Sequence, residues 1–162
     1  MANDALDLAV LNGSGSAGQP TGLLLTSGVQ SVDGSSLSLS GLSSMEESCV
    51  LADAEDSSLT WFAYPTVRKL LRQREINTGS GSIWPGRDLL GHPVFTSSKM
   101  PSTSLILGDF RNVDILLFGN GIEVLVNPFA NFKSGQVEFQ VSLQMDIAIH
   151  YPASFAKATG IS

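Results

Sequence analysis

Between Gly91 and Pro152 the chain presents five apolar segments in succession: GHPVFTSS, SLILGDF, NVDILLFGNG, GIEVLVNP and VEFQVSLQMDIAIHYP. They alternate or run apolar, and Gly, Pro or Asn punctuates them, the pattern of strands separated by turns. Pro101 and Pro128 mark strand edges or turns, because proline cannot donate to a ladder. Ahead of Trp84 the spacing is different. ALDLAVL reads as the end of a helix that turns Leu6 and Val10 inward, with Leu8 and Leu11 as further candidates. Ser44 and Glu47 form a capping box that predicts a helix over 45–56, facing Val50 and Ala54 to a core with Leu51 beside them. Leu59 to Tyr64 reads as a short buried strand. Pro65 then suits the first turn of a helix with an inward stripe of Val67, Leu70 and Leu71, ending near Asn77. Residues 30–43, rich in Ser and Gly, read as a loop with one short strand. SFAKATGIS is expected to add a last strand. This order is α+β, and it excludes a doubly wound sheet, which needs regular β-α alternation.

A chain of 162 residues with 43% hydrophobic and 15% charged side chains can bury one core, or two small lobes sharing one. No run approaches the ~20 apolar residues of a membrane span, and no basic region precedes an apolar core at the N-terminus. The single cysteine, Cys49, cannot close an internal disulfide and reads as an inert buried thiol.

Charge is uneven along the chain. Residues 1–67 hold eight acidic side chains (Asp4, Asp7, Asp33, Glu46, Glu47, Asp53, Glu55, Asp56) and no Lys or Arg. All nine cations follow, against seven acids, and Arg68, Lys69, Arg72 and Arg74 cluster in VRKLLRQR. One short basic helix on an acidic protein is too small a footprint for general nucleic-acid binding, which needs a broad basic face. An acidic and a basic segment can instead meet each other, within a chain or between copies.

Catalytic patterns are weak. Gly13, Gly15 and Gly18 in LNGSGSAGQPTGLL spell G-x-G-x-x-G, but a dinucleotide fingerprint needs a strand before it and a helix after it. Here a helix precedes, and Pro20 with Gly22 follows; Asp33, at the distance of a ribose ligand, lies in a Ser/Gly tract. The stretch reads as a helix end at Asn12-Gly13, closed by a left-handed residue, followed by a loop. There is no G-x-S-x-G, no C-x-x-C, no H-x-x-x-H and no calcium-binding loop. His92 and His150 are the only side chains that could serve as bases near neutral pH, and no nucleophile is placed beside either by sequence. Asp53, Glu55 and Asp56 read as a solvated cluster at a helix end, and Trp61 and Trp84 as packing residues. No catalytic, cofactor-binding or metal-binding residue is assigned.

Gly91-His92-Pro93-Val94, Ser97 to Pro101, Gly108-Asp109-Phe110 and Ile122-Glu123-Val124 follow one another in an order that is specific although each motif alone is weak. In that order they resemble the C-terminal half of tailed-phage and prophage major capsid proteins of the Hong Kong 97 type. ALDLAVLNGSG followed by QPTGLL is similar to that family's passage from its long spine helix into a glycine loop. FAYPTVRKLL and DIAIHYPASFAKATGI match in kind. The resemblance implies an axial domain over 29–118 and a peripheral domain formed by 1–28 and the strands of 119–146, with 147–162 returning to the axial sheet. It also implies that family members carry an N-terminal arm, an extended loop and most of the spine helix ahead of the position of Met1. This chain would then be a C-terminal portion, and closing a shell would need those parts.

The function implied is that of a structural subunit of a virion capsid, synthesised in the bacterial cytoplasm. Its partners would be copies of itself in capsomer rings, with other head-assembly proteins as further candidates, no membrane and no specific nucleic-acid binding. Glu46, Glu47, Asp53, Glu55 and Asp56 of one copy are the candidates to approach Arg68, Lys69, Arg72 and Arg74 of the next. Two readings compete: a tail or tube component, or a small hydrolase gathering His92 or His150 with a serine and a carboxylate.

Overall fold

The structure is a computed structural model that describes residues 2–76, 79 and 81–162. Five strands form a mixed sheet in the order β1-β7-β4-β2-β3, comprising β1 (Gln30–Asp33), β2 (Thr60–Ala63), β3 (Val94–Thr96), β4 (Leu105–Gly108) and β7 (Phe155–Thr159). Strand β4 is central and buried along its whole length, which is why LILG carries no polar position. The alternation of side chains across the sheet splits the core in two. Trp61, Ala63, Leu105, Leu107, Ala156 and Ala158 point to one face. Helices α2 (Leu39–Leu51) and α3 (Pro65–Gln73) cover that face with Leu42, Met45, Cys49, Val67 and Leu71. Ile106 and Phe155 point to the other, against Leu11 of α1 (Ala2–Asn12), Leu23, Leu24 and Met100. Phe62, Phe110 and Phe155 pack there, with Phe110 edge-on to Phe155 at 5.4 Å.

A separate two-stranded ribbon projects from this body: β5 (Val113–Asn131) pairs antiparallel with β6 (Gln136–Ile149). FGNG and GIEV are not two strands parted by a turn. They belong to one strand with a register shift between Phe118 and Ile122. Gly119 and Gly121 sit there at φ 71° and 85°, so the glycines add a bulge instead of reversing the chain. Pro128 lies in the second shift, between Asn127 and Asn131, where no ladder donor is required of it.

Four local expectations are corrected. The second helix starts at Leu39, not Met45: Ser38 is its N-cap, accepting from the Gly41 amide. Ser44 sits inside the helix and donates to the Ser40 carbonyl at 3.0 Å. The spacing of Leu42, Met45 and Cys49, all fully buried, sets the helix against the sheet and overrides the poor helix propensity of SGLSS. Val50 and Leu51 consequently face solvent, at 45% and 78% exposure, and Ala54 is buried beyond the helix end. The first helix turns Leu11 inward and leaves Leu8 exposed. Gly13 is not in the left-handed region; a Cβ there would lie 2.3 Å from the Pro20 carbonyl oxygen. The loop folds back onto itself, with the Gly22 amide donating to the Gly13 carbonyl, and close approach is what demands glycine. The end of α3 falls at Gln73; Asn77 lies outside the described residues.

Cys49 is fully buried, and burial pushes its thiol pKa up to about 12. Only the thiolate reacts with alkylating agents. Iodoacetamide is expected to leave Cys49 unmodified in the folded chain at pH 8 and to label it completely in denaturant, as read by mass spectrometry.

Candidate subunit interface

Helix α3 carries the basic residues, and its sequence explains their placement. Pro65 occupies the first turn, and Val67 and Leu71 are buried, which rotates Lys69 and Arg72 to solvent. Not all four cations are available to a partner. Arg74 donates to the carbonyls of Leu37 and Ser162 and so ties α3 to the C-terminus. Arg68 and Arg72 lie over the buried Trp84 ring at 5.3 and 5.9 Å, cation–π contacts that hold both guanidinium groups to the surface. Arg72 also donates to the Gly86 carbonyl at 3.1 Å. Lys69 is exposed and outside these contacts.

The acidic residues divide as well. Glu55 pairs with Arg111 at 2.8 Å, and the same guanidinium holds Asp109, whose carboxyl it keeps below the usual carboxylate range. Glu46 and Asp56 converge on His92 at 3.2 and 3.6 Å. Glu47 and Asp53 are exposed. Among the described residues, no ion pair joins any of these acids to Arg68, Lys69, Arg72 or Arg74 within the chain.

The two histidines have carboxylate neighbours. His150 Nε2 meets Asp114 at 2.8 Å on the surface, and His92 meets Glu46. Among the described residues neither histidine ring has a serine hydroxyl as hydrogen-bond partner, so a nucleophile–base pair is not formed in this geometry. The grouping of Glu46, Asp56 and His92 was not visible in the sequence, where they lie far apart. The glycine-rich motif runs from α1 into a short hairpin-like loop bridged at Ser14 and Thr21, without the strand-to-helix passage that a pyrophosphate site requires.

The ribbon exposes a run of large apolar side chains. By register, Ile122, Val124 and Val126 share one face of the ribbon with Leu143, Val141 and Phe139. Their exposures are 53%, 58% and 55% for the first three, and 61% and 67% for Val141 and Phe139. Close to the body the face meets α1 across a cleft of about 310 Å³ lined by Leu6, Leu8, Ala9, Ile122, Val141 and Met145. Beyond it the apolar stripe continues uncovered. A two-stranded ribbon cannot bury such a stripe alone, so these side chains remain open to solvent in the single chain.

Comparisons with known proteins agree on one architecture. The model of the phage capsid family matches residues 2–160. The capsid chain of a native GTA particle superposes with a TM-score of 0.72 at 17% identity, covering 99% of this chain and 64% of that one. A chain of Gordonia phage Cozz gives 0.68 at 15% identity, covering 98% and 59%. The holo-SrpI encapsulin complex of Synechococcus elongatus gives 0.66 at 16% identity, covering 99% and 62%. The chain thus spans somewhat less than two thirds of the length of these chains. No curated protein sequence matches it. Among the described residues, no helix is long and apolar enough to cross a membrane.

Proposed function

The chain belongs to the phage capsid family, and from that premise we propose that it is a structural subunit of a phage or prophage head shell, made in the bacterial cytoplasm, that associates with copies of itself into capsomer rings. The observation that carries the proposal is the extent of the family match, residues 2–160. The five-stranded body over 29–118, completed by the C-terminal strand within 147–162, serves as the axial domain. Residues 1–28 and the ribbon of 119–146 serve as the peripheral domain. The protein works by presenting surfaces, not by chemistry: the shell needs self-complementary faces, and a heterologous contact repeated by rotation closes a ring.

Charge complementarity supplies one such contact. Glu47 and Asp53 of one copy meet Lys69, with Arg72 beside it, on the next. These are the members of the two charged sets that the fold leaves exposed and without an ion-pair partner among the described residues. Glu46, Glu55, Asp56, Arg68 and Arg74 contribute less directly, because each already has a contact within the chain. Size is to be measured by light scattering after gel filtration across concentration and salt. Salt-sensitive association into discrete rings is the expected result. Lys69→Glu should weaken it several-fold, and adding Glu47→Lys should restore it. Lys69 is the informative position, since reversing Arg68 or Arg72 would also disturb Trp84. Equal association by parent and both variants would remove this pairing from the account.

A further inference from the structure

We propose that Glu46, Asp56 and His92 form a binding site for a first-row divalent cation, for which zinc is the probe. The histidine is held in place by the fold. Leu89 and His92 exchange both backbone hydrogen bonds, at 3.0 Å each. The two residues between them, Leu90 and Gly91, take φ 51° and 86°, the left-handed pair of a tight hairpin turn. A left-handed leucine is uncommon, so the turn is maintained against a local cost. The Trp61 indole anchors it by donating to the Leu89 carbonyl at 3.0 Å. His92 is 8% exposed, which leaves its ring few orientations.

Helix α2 brings Glu46 to His92 Nε2 at 3.2 Å, and the turn after that helix brings Asp56 to the same nitrogen at 3.6 Å. The three ligand atoms all lie within 4.8 Å of one another. A tetrahedral ion with bonds of about 2.0–2.1 Å separates its ligand atoms by roughly 3.3 Å. The two nitrogen-to-oxygen distances fall on either side of that value, and the two carboxylates, within 4.8 Å of each other, need to close only by rotation of their side chains. Asp56, whose side chain is 70% exposed, is free to make it, and the open side leaves water the fourth position.

Charge also favours a cation. Two carboxylates face one imidazole, and among the described residues His92 is the only basic group within ion-pair reach of either. One nitrogen and two carboxylate ligands suit zinc and its neighbours better than calcium or magnesium, which take oxygen ligands in larger number. The bound ion would clip α2 and the turn following it to the 89–92 turn, which docks against the core through Trp61. The competing arrangement is metal-free, with the Nε2–H of His92 shared between the two carboxylates.

The test is calorimetric titration of zinc into the chelator-treated chain at about pH 7.5, with thermal melts alongside. One site of micromolar affinity is expected, with Tm rising by roughly 5–10 °C at a hundredfold excess over Kd. Calcium should leave Tm unchanged. Asp56→Asn and Glu46→Gln should each weaken zinc binding at least tenfold, and His92→Gln should abolish it. Because His92 is buried, its variant could fail to fold, and the two carboxylate variants then decide. No zinc-dependent shift in the parent would leave the hydrogen-bonded bridge as the account and overturn the site. An undiminished shift in both carboxylate variants, or an equal response to calcium, would overturn it too.

Discussion

Replacing Trp61 by alanine is expected to remove about 3–5 kcal/mol of stability, the range for emptying a packed aromatic site. Trp61 has no exposed surface. Its strand lies between β4 and β3, paired with Leu107 on one side and Val94 on the other. Its ring enters the face of the sheet that α2 and α3 cover, and those helices cannot both collapse into the space without leaving the strands they cap. The indole also fastens the 89–92 turn through the Leu89 carbonyl, so the loss spreads beyond the cavity. Typical domain stabilities are about 5–15 kcal/mol, and one substitution therefore consumes a large part of the margin. Urea unfolding should show a lower midpoint at an unchanged slope. Trp61→Phe separates the two contributions. It keeps most of the volume and deletes one hydrogen bond, but the Leu89 carbonyl still accepts from the His92 amide. The hydrogen-bond part of that loss should stay near 1 kcal/mol. A loss below about 1 kcal/mol for Trp61→Ala would mean that the site closes over the gap, contrary to the packing described.

The sequence was most legible where one residue type dictates local geometry. Pro65 can open a helix but not sit in its middle, and α3 begins there. The apolar SLILG segment has the character of a strand buried on both faces, and β4 is one. The start of α2 at Leu39 is not legible locally, because local signals compete. Ser44 and Glu47 form a plausible cap, and the preceding Ser and Gly residues weaken the helix. Only the burial of Leu42 against the sheet, a tertiary fact, decides the matter. FGNG is ambiguous for a related reason: left-handed glycines serve equally in a reversal and in a bulge, and the partner strand chooses. Fold class was thus readable while the usable parts of the charged surface were not. That Arg74 is taken up by the Leu37 and Ser162 carbonyls, or that Glu55 is taken by Arg111, depends on contacts between segments far apart in the chain.

The ribbon provides the larger test of assembly. Val124→Lys combined with Phe139→Glu is expected to weaken self-association by at least a hundredfold while leaving the chain folded. Val124 and Phe139 are 58% and 67% exposed, so the isolated chain gains little from burying them, and surface changes of this kind alter stability by about 0.5 kcal/mol or less. They are diagonal neighbours on one face, since Val124 pairs with Val141 and Phe139 with Val126. Opposite charges there attract across the strands and keep the ribbon intact. At an interface the same side chains leave water; full burial is worth about 1.5–3 kcal/mol each, so the parts still exposed contribute about 2–4 kcal/mol together, and the cost of burying the introduced charges carries the loss beyond a factor of one hundred. Sedimentation velocity over a concentration series reads the association, and a thermal melt reads the fold. Loss of association with Tm within about 2 °C of the parent assigns the stripe to contacts between copies. Unchanged association would place the contacts elsewhere, on the charged faces of α2 and α3. A large fall in Tm would mean that the stripe packs within the chain and is not the exposed face described. The two proposed contacts also differ in their response to salt: screening weakens the pairing of Glu47 and Asp53 with Lys69, whereas an apolar stripe holds at high ionic strength. Association that survives salt in the parent and disappears in the double variant would rank the ribbon above the charged helices in holding copies together.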